Sequence, residues 1–226
     1  MPAGTENYSI DDLFPAPVMV AAPTRTLYRL GYAPNPLAWP PHSVRGRGRF
    51  DDPRRRFGVL YCSEQRRACF IEALAALRPE LPVLSALPVG AQLLPVPRRS
   101  LPFGWRAVRR IGRFRLPPGQ RWLDLRVVQT REALRQVFAS SVLAIGLSDL
   151  EGATVRGPQR QLTQAIAGWA FDQGYHGLVY TSRFDDRWTC WAVFEAATTV
   201  PNGQPRPIRR GDTDLAWTAA LFHLDI

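Results

Sequence analysis

The pattern of apolar and polar positions predicts strands at three places in the first 130 residues. Residues 27–30 form the first strand, in which Arg29 faces the side opposite to its two neighbours, a tyrosine and a leucine. Residues 57–62 are a short and almost wholly apolar run, which is typical of a buried strand. Residues 122–128 return to a strand-like alternation.

Helical spacing of apolar side chains predicts two helices in the second half of the chain. The first is capped by Thr130 and carries an apolar stripe made of Leu134, Val137 and Phe138. The second begins at Pro158 and ends at Gly174. Its stripe consists of Leu162, Ala165, Ile166 and Trp169. Stripes of this kind are typical of helices that pack against a core.

A hairpin follows the second of these helices. Residues 177–182 form a buried strand that ends on Ser182, and residues 190–195 form the return strand after a short turn. Residues 201–210 are rich in proline and arginine and are predicted to be exposed. Residues 215–226 are expected to pack as a short helix or strand.

Proline and charge divide the chain unevenly. Residues 1–23 are polar and acidic, then proline-bearing, and are predicted to form an N-terminal arm without its own core. Residues 24–226 are predicted to be one domain, since a chain of 226 residues with 46% hydrophobic content can bury a full core. Frequent prolines between about 79 and 118 predict an irregular insertion with one or two short strands.

Composition excludes several classes of protein. No apolar run approaches the roughly 18 residues of a membrane span, and no secretory signal is evident, so a cytoplasmic protein is expected. Three cysteines without a CxxC pair and three scattered histidines argue against a metal site. The chain also lacks the Gly-rich phosphate loop, the GxGxxG fingerprint, the GxSxG elbow and the HExxH pair.

The net charge of +10 raises the question of nucleic acid, because clustered cations on phosphate supply most non-specific affinity. However, all 29 basic residues are arginine and none is lysine, which points to a compositional bias and makes arginine number weak evidence for a nucleic-acid partner.

The positions of the arginines are more informative than their number. Arg45, Arg47 and Arg49 alternate with apolar or small residues, so in an extended chain they would point the same way. The sequence Asp51-Asp52-Pro53 that follows predicts a turn.

Glu72 is the most informative carboxylate of the chain. It lies on a helix that is predicted to begin at an N-cap, Ser63, and to end at Arg78-Pro79. The residues three and four positions away are small and uncharged, so Glu72 has no basic partner on its own helix. Glu72 is therefore predicted to face inward, where a carboxylate needs a partner from elsewhere in the fold, or a ligand. The alternative is a solvated glutamate at the edge of the helix.

These residues, taken together, resemble the RES domain family, which is named for its Arg, Glu and Ser. The resemblance rests on Arg29 in LYRLG, on GRFDDP, on Tyr61 with Glu72 eleven residues later, and on Ser182 in GLVYTS. It covers roughly residues 29–195. The family implies an α+β fold, with a mixed, mostly antiparallel split β-sheet flanked by helices, similar to ADP-ribosyltransferase toxins such as diphtheria toxin.

The resemblance also implies a function. RES proteins are bacterial toxins of toxin–antitoxin systems, usually encoded beside an Xre-like helix-turn-helix antitoxin, and they consume NAD. The expected reaction is cleavage of the nicotinamide–ribose bond by phosphorolysis or hydrolysis, with ADP-ribosyl transfer to a protein as the alternative. NAD is then the substrate, inorganic phosphate a potential co-substrate, and no metal is expected. A basic nucleic-acid-binding module and a catalytically inactive binding module are further alternatives, and a homodimer is compatible with the family.

Carried over to this chain, the family's catalytic residues are Glu72, Arg29 and Ser182, and its NAD-binding residues are Arg29, Arg49, Arg47 and Tyr61. Guanidinium groups suit the pyrophosphate of NAD, and a fixed carboxylate stabilises the positive charge that develops on the ribose. Tyr61 would stack on the nicotinamide. Ser182 would either hold the carboxamide or orient Glu72. A strongly basic toxin also suits an acidic antitoxin surface.

Overall fold

The fold is described by a computed structural model, which covers residues 16–78 and 98–226. The described residues divide into two compact units. The first unit comprises residues 16–24, 39–61 and 116–200, and the second comprises residues 25–38, 62–78, 98–115 and 201–226. The predicted arm at 1–23 lies mostly outside the described residues, as does the 79–97 part of the predicted insertion.

Eleven strands and six α-helices are present in the described part of the chain. The strands are β1 (Met19–Val20), β2 (Leu27–Tyr32), β3 (Val59–Ser63), β4 (Arg99–Ser100), β5 (Arg109–Arg115), β6 (Trp122–Asp124), β7 (Gly177–Thr181), β8 (Thr189–Phe194), β9 (Val200–Pro201), β10 (Arg206–Pro207) and β11 (Leu224–Asp225). The helices are α1 (Arg66–Leu74), α2 (Val128–Val137), α3 (Ala139–Ala144), α4 (Gly152–Arg156), α5 (Arg160–Asp172) and α6 (Thr213–Leu221). Two 3₁₀ turns lie at His42–Val44 and Ala75–Leu77.

In the first unit the strand order is β1-β6-β7-β8-β3. The pairs β1–β6 and β7–β8 are antiparallel, and β6–β7 is parallel. Helix α5 packs on β7, and the core contains fully buried side chains from both elements, such as Ile166 and Leu178. The predicted hairpin is confirmed, because β7 and β8 pair antiparallel with Val179 opposite Trp191.

In the second unit the order is β3-β2-β5-β10, and the pairs β2–β3, β2–β5 and β5–β10 are antiparallel. Helix α1 packs on β2 and against α6. The α+β class with mostly antiparallel strands and flanking helices is therefore confirmed. The insertion, predicted to be irregular with one or two short strands, contains β4 and the seven-residue strand β5, whose Ile111 and Phe114 are buried on opposite faces.

Two predicted helix caps are wrong. Thr130 lies inside α2, where it is fully buried, and its hydroxyl accepts a hydrogen bond from the Val18 amide at 2.9 Å. Ser63 is the last residue of β3, and its hydroxyl accepts from the Gln65 amide at 3.1 Å before α1 begins. Each hydroxyl thus satisfies a backbone N–H outside the helix that it was predicted to cap. Gly174, by contrast, ends α5 as predicted, with a φ of 74° that favours glycine.

Candidate active site

The candidate site residues of the first unit centre on residues 45–52, here called the arginine loop. The Asp51 carboxylate holds this loop closed, since Oδ2 accepts hydrogen bonds from the amides of Arg47 (3.0 Å) and Gly48 (2.9 Å). The Tyr61 hydroxyl donates to Asp51 Oδ1 at 2.7 Å and accepts from the Phe50 amide at 2.8 Å. One carboxylate and one phenol therefore fix the backbone of the loop against β3.

Gly48 is required by this arrangement. A Cβ atom at this position would lie 2.8 Å from Tyr61 Cε2 and 2.5 Å from Asp51 Oδ1, both too close for van der Waals contact. The glycine lets the loop backbone approach the tyrosine ring closely enough for the hydroxyl to reach Asp51. This gives a physical reason for the glycine in the sequence RGRGRF.

Helix α5 holds the arginine loop from the other side. The Gln164 amide donates to the carbonyl oxygens of Gly46 (3.0 Å) and Gly48 (2.8 Å). The Thr163 hydroxyl donates to the Arg49 carbonyl at 2.7 Å. The polar side of α5 thus satisfies the loop carbonyls, while its apolar stripe faces the core.

The three arginines of the loop do not form the predicted row. Gly46 has a φ of 85°, so the segment turns and the alternation of an extended chain is lost. Arg45 forms an ion pair with Glu195 at 2.8 Å, and Arg47 is exposed. Arg49 is half-buried, and its guanidinium donates to the carbonyl oxygens of Val155 (3.0 Å) and Gly157. The prediction that these arginines point the same way is wrong because each follows a different part of the turn.

The hydroxyl of Tyr61, on β3 beside the arginine loop, has a strongly perturbed pKa. Burial raises its pKa well above the ordinary value, the negative charge and hydrogen bonding of Asp51 raise it further, and the positive charge of Arg49 acts in the opposite direction. Its ring packs against the core of the unit. The structure therefore brings Arg49 and Tyr61 together around Asp51.

Ser182 is completely buried in the first unit, directly after β7. Its hydroxyl accepts from the Phe184 amide at 3.2 Å, and its own amide donates to the Trp188 carbonyl at 3.0 Å. These bonds shape the turn that leads from β7 to β8. A catalytic contact of Ser182 stays a prediction.

The second unit contains Arg29 and Glu72. Arg29 is half-buried in β2, opposite Gly112 of β5, and its Nε donates to the Pro36 carbonyl at 2.9 Å. Gly112 leaves room for the loop that Pro36 belongs to, since a Cβ there would come within 2.9 Å of the Pro36 side chain. The guanidinium is thus held by backbone at one nitrogen.

Glu72 is exposed on α1, so the prediction that it faces the interior is wrong. Cys69, one helical turn earlier, donates from its thiol to the Tyr28 carbonyl of β2 at 3.0 Å. Burial raises the pKa of that thiol to about 12, and the positive charge of Arg29 acts against this shift. Arg29 therefore lies near Cys69, and Glu72 is on the neighbouring turn of the same helix. The structure places two of the three predicted catalytic groups, Arg29 and Glu72, in one region of the second unit, with the Glu72 carboxylate open to solvent. The third, Ser182, belongs to the first unit.

The structure adds residues that the sequence did not single out. Asp51 was predicted only as part of a turn, yet it is 8% exposed and organises the arginine loop. Asp52 is 1% exposed and forms an ion pair with Arg56 at 2.8 Å. Burial would raise the pKa of Asp52, but the hydrogen bonds and charge of Arg56 outweigh it and lower the pKa. A local signal existed for Asp51, since an aspartate side chain can accept hydrogen bonds from backbone amides three or four residues earlier in the chain.

The sequence matches a model of a known protein family. The family model described as "RES domain" matches residues 26–218, which is most of the chain. The chain belongs to the RES domain family. No curated protein matches the sequence. Among solved structures, a chain from the crystal structure of the M. tuberculosis MbcT–MbcA toxin–antitoxin complex is similar to this RES protein, with a TM-score of 0.55 and 16% identity over 91% of this chain and 92% of that one.

Two further observations concern what the described residues contain. None of their helices is both long enough and apolar enough to cross a membrane. No group of three or more histidine, cysteine, aspartate or glutamate side chains is arranged to hold a metal ion within residues 16–78 and 98–226.

Proposed function

We propose that this RES protein is the toxin of a toxin–antitoxin pair and that it cleaves the nicotinamide–ribose bond of NAD. The observation that carries the proposal is the match of the RES model across residues 26–218, a range that includes the Arg, Glu and Ser of the family pattern at positions 29, 72 and 182. The structural similarity to a chain from a toxin–antitoxin complex supports the same assignment.

Glu72 is proposed to act on the ribose of NAD. Its exposure on α1 leaves the carboxylate accessible to a ligand. As the bond between C1′ of the ribose and the ring nitrogen breaks, the bonding electrons leave with nicotinamide and positive charge develops on the ribose. A carboxylate beside the ribose stabilises this charge. Arg29, in the same region of the second unit, is proposed to bind an oxygen of the pyrophosphate.

The residues of the first unit are proposed to contribute in two ways. Arg47 is exposed and is suited to a direct contact with the pyrophosphate. Arg49 and Tyr61 are proposed to bind NAD, as the family resemblance implies, and within the first unit their positions are set by Asp51 and by the backbone carbonyls that Arg49 binds. Ser182 is buried, so we assign it a positioning role through the turn that follows β7.

The partner of this protein is proposed to be an antitoxin, which the family resemblance predicts to be of the Xre-like helix-turn-helix kind. The net charge of +10 favours an acidic partner surface, because complementary charge accelerates encounter. A protein encoded next to this one is the first candidate to test.

The decisive experiment is phosphorus and proton NMR of NAD incubated with the purified protein, with and without inorganic phosphate. We expect nicotinamide with ADP-ribose-1″-phosphate if phosphate is the acceptor, or with free ADP-ribose if water is. Glu72→Gln should reduce NAD loss by at least about 10²-fold, the cost of removing one group that stabilises transition-state charge.

Glu132→Gln is the matched control, because Glu132 pairs with Arg135 on α2 and has no place in the proposed site. It should cleave NAD like the wild type. Full activity of the Glu72→Gln variant would remove Glu72 from the chemistry. Unchanged NAD in every sample, followed by ADP-ribose attached to protein when cell extract is added, would instead identify an ADP-ribosyltransferase.

A further inference from the structure

A cavity of about 220 Å³ lies entirely within the first unit. It is bordered by the end of β6, the start of α2, helix α4 and the end of β7. The side chains that matter for its chemistry are Arg126, Arg131, Arg156, Tyr180, Thr181 and Asp186. None of these belongs to the site predicted from the sequence.

Arg126 is held in place by a buried carboxylate. Asp124 is 4% exposed, and it accepts two parallel hydrogen bonds from Arg126, at 2.8 Å from Nε and 2.7 Å from Nη2. The remaining terminal nitrogen of Arg126 donates to the Thr189 hydroxyl at 3.2 Å. This guanidinium is therefore oriented by the fold and contributes a fixed positive potential to the cavity.

Arg131 is a cation of a different kind. Its guanidinium donates to the carbonyl oxygens of Leu125 (3.1 Å) and Arg126 (2.7 Å), and within the described residues no carboxylate pairs with it. Carbonyl oxygens orient the group without neutralising its charge. Arg131 therefore brings a full positive charge to the cavity.

Arg156 shares its charge with the solvent-exposed Asp186. The two form an ion pair, and Arg156 Nε also donates to the Gly152 carbonyl at 3.2 Å. The Asp186 side chain is 78% exposed, so this pair is easily exchanged for another anion. Among the described residues, Arg126 and Arg156 pair with the carboxylates of Asp124 and Asp186, and Arg131 is in no ion pair, which leaves one positive charge at the cavity.

We infer that this cavity binds the phosphate group of a small solute. Three guanidinium groups on one small cavity match the oxygens of a tetrahedral dianion, which accepts several charge-assisted hydrogen bonds at once. The hydroxyl groups of Tyr180 and Thr181 line the same space and suit the same oxygens. A wider cavity beside it shares Arg156 and Asp186 and is lined by Phe184. That neighbour has space for a sugar and base, so both inorganic phosphate and a nucleoside monophosphate are sources of the group.

The test is titration calorimetry of the full chain with inorganic phosphate and, separately, with AMP, at constant ionic strength and without NAD. Arg131→Ala should weaken binding by about tenfold or more, since it removes a charge-assisted hydrogen bond to the phosphate group. Arg135→Ala is the matched control, because Arg135 lies one turn further along α2 and pairs with Glu132 and Asp149 outside the cavity. It should leave binding unchanged.

Asp186→Asn tests the same cavity in the opposite direction. Removing the competing carboxylate should tighten phosphate binding several-fold, whereas Asp149→Asn, which removes an exposed carboxylate elsewhere, should not. Tighter binding of phosphate than of AMP would identify inorganic phosphate as the ligand, and the reverse order would identify a phosphate monoester. Either result supports the inference if Arg131→Ala weakens binding, Asp186→Asn tightens it, and Arg135→Ala and Asp149→Asn leave it unchanged.

Absence of saturable binding of both ligands would overturn the inference. An equal loss in Arg131→Ala and Arg135→Ala would overturn it too, because it would indicate attraction to net charge alone. Arg131→Lys, which keeps the charge, should restore part of the affinity, and thermal unfolding of each variant shows whether the fold is retained. The inference is independent of NAD cleavage, because none of the cavity side chains belongs to the proposed NAD site.

Discussion

The hydroxyl of Tyr61 donates to Asp51 and accepts from the Phe50 amide, while Asp51 accepts from two further loop amides. These hydrogen bonds depend on the identity of two single residues, Tyr61 and Asp51, because none of them is a backbone bond of a helix or a sheet. A buried carboxylate is tolerated here because its oxygens receive donors from the phenol and from the loop backbone. The arginine loop is therefore held on the β3 side by this pair of residues, and on the other side by α5.

Tyr61→Phe is predicted to lower the free energy of unfolding by about 1–3 kcal/mol, since it leaves the Phe50 amide and one Asp51 oxygen without their partner. Tyr32→Phe is the control: the exposed Tyr32 hydroxyl accepts only a long bond of 3.3 Å from Arg109, so the change should stay within about 0.5 kcal/mol. Chemical denaturation at neutral pH measures both variants. Equal losses in the two would show that the Tyr61 hydroxyl has no special role.

The stability of Tyr61→Phe should also depend differently on pH than that of the wild type at high pH. Because the pKa of Tyr61 is raised by folding, its contribution to stability is fully present below the ordinary tyrosine value of 10 and is lost as the pH rises from there towards the higher folded-state pKa. Tyr61→Phe should therefore show a shallower loss of stability above pH 10 than the wild type. An identical slope in both proteins would contradict this.

At the scale of elements, α1 and α6 of the second unit are joined by charge. Arg66 of α1 forms ion pairs with Asp212 and Asp214, and Asp212 also caps α6 by accepting from the amides of Asp214 (3.1 Å) and Leu215 (3.2 Å). The Asp212 carboxylate thus caps the start of α6 and also binds Arg66 of α1. Burial would raise the pKa of Asp212, but the hydrogen bonds and charge of Arg66 outweigh it, and the pKa is lowered.

A lowered pKa makes this link sensitive to acid. The contribution of Asp212 to stability is present above its ordinary pKa of 3.8 and is lost as the pH falls below that value towards the folded-state pKa. Asp212→Asn keeps an oxygen for the cap and loses the charge, so its stability should fall less steeply with acid. Asp212→Ala loses the cap as well, which should cost about 1 kcal/mol more at neutral pH.

Thermal unfolding as a function of pH tests both variants, with Asp225→Asn as the control. Asp225 pairs with Arg98 at a position where both side chains are more than half exposed, so its loss should have little effect. If Asp212→Asn followed the wild-type curve in acid, the charge of Asp212 would not contribute to the link between the helices.

At the scale of the whole molecule, the net charge of +10 is the property that acts on a partner at long range. Many arginines are already paired in the structure, as Arg45, Arg56 and Arg66 are, so the surplus positive charge is available to steer partners. Steering by exposed charge weakens with salt because the Debye length falls to about 8 Å at physiological ionic strength. The charge is therefore relevant to how fast a partner associates and not to the fold.

The association rate with the proposed antitoxin is predicted to fall by about tenfold or more between low and physiological salt, with a much smaller change in the dissociation rate. Stopped-flow or surface-binding kinetics with the protein encoded next to this one would measure both rates. A salt-independent association rate would show that charge does not guide the encounter, and the absence of any complex would refute the partner assignment.

The amount of structure that could be predicted depended on how far apart in the sequence the residues that determine each element lie. The β7–β8 hairpin and α5 were predicted because their apolar periods, turn residues and closing glycine lie within a few residues of one another. The predicted caps failed because Thr130 binds a backbone amide 112 residues away and Ser63 a nearby amide outside the helix. One or two short strands were predicted in the insertion, but the position and length of β5 were not, because proline and arginine around it suggested irregular structure. Its partners β2 and β10 lie far away in the sequence.

By itself, the sequence determined the RES membership, the α+β class and the order of the residues Arg29, Glu72 and Ser182, because these are carried by residue types at fixed spacing. Only the tertiary structure decided which group each arginine binds. Arg45 meets Glu195 across 150 residues, and Arg49 meets the Val155 carbonyl across 106. A guanidinium binds any suitably placed oxygen, so its partner is chosen by the path of the chain and not by the pattern of its neighbours.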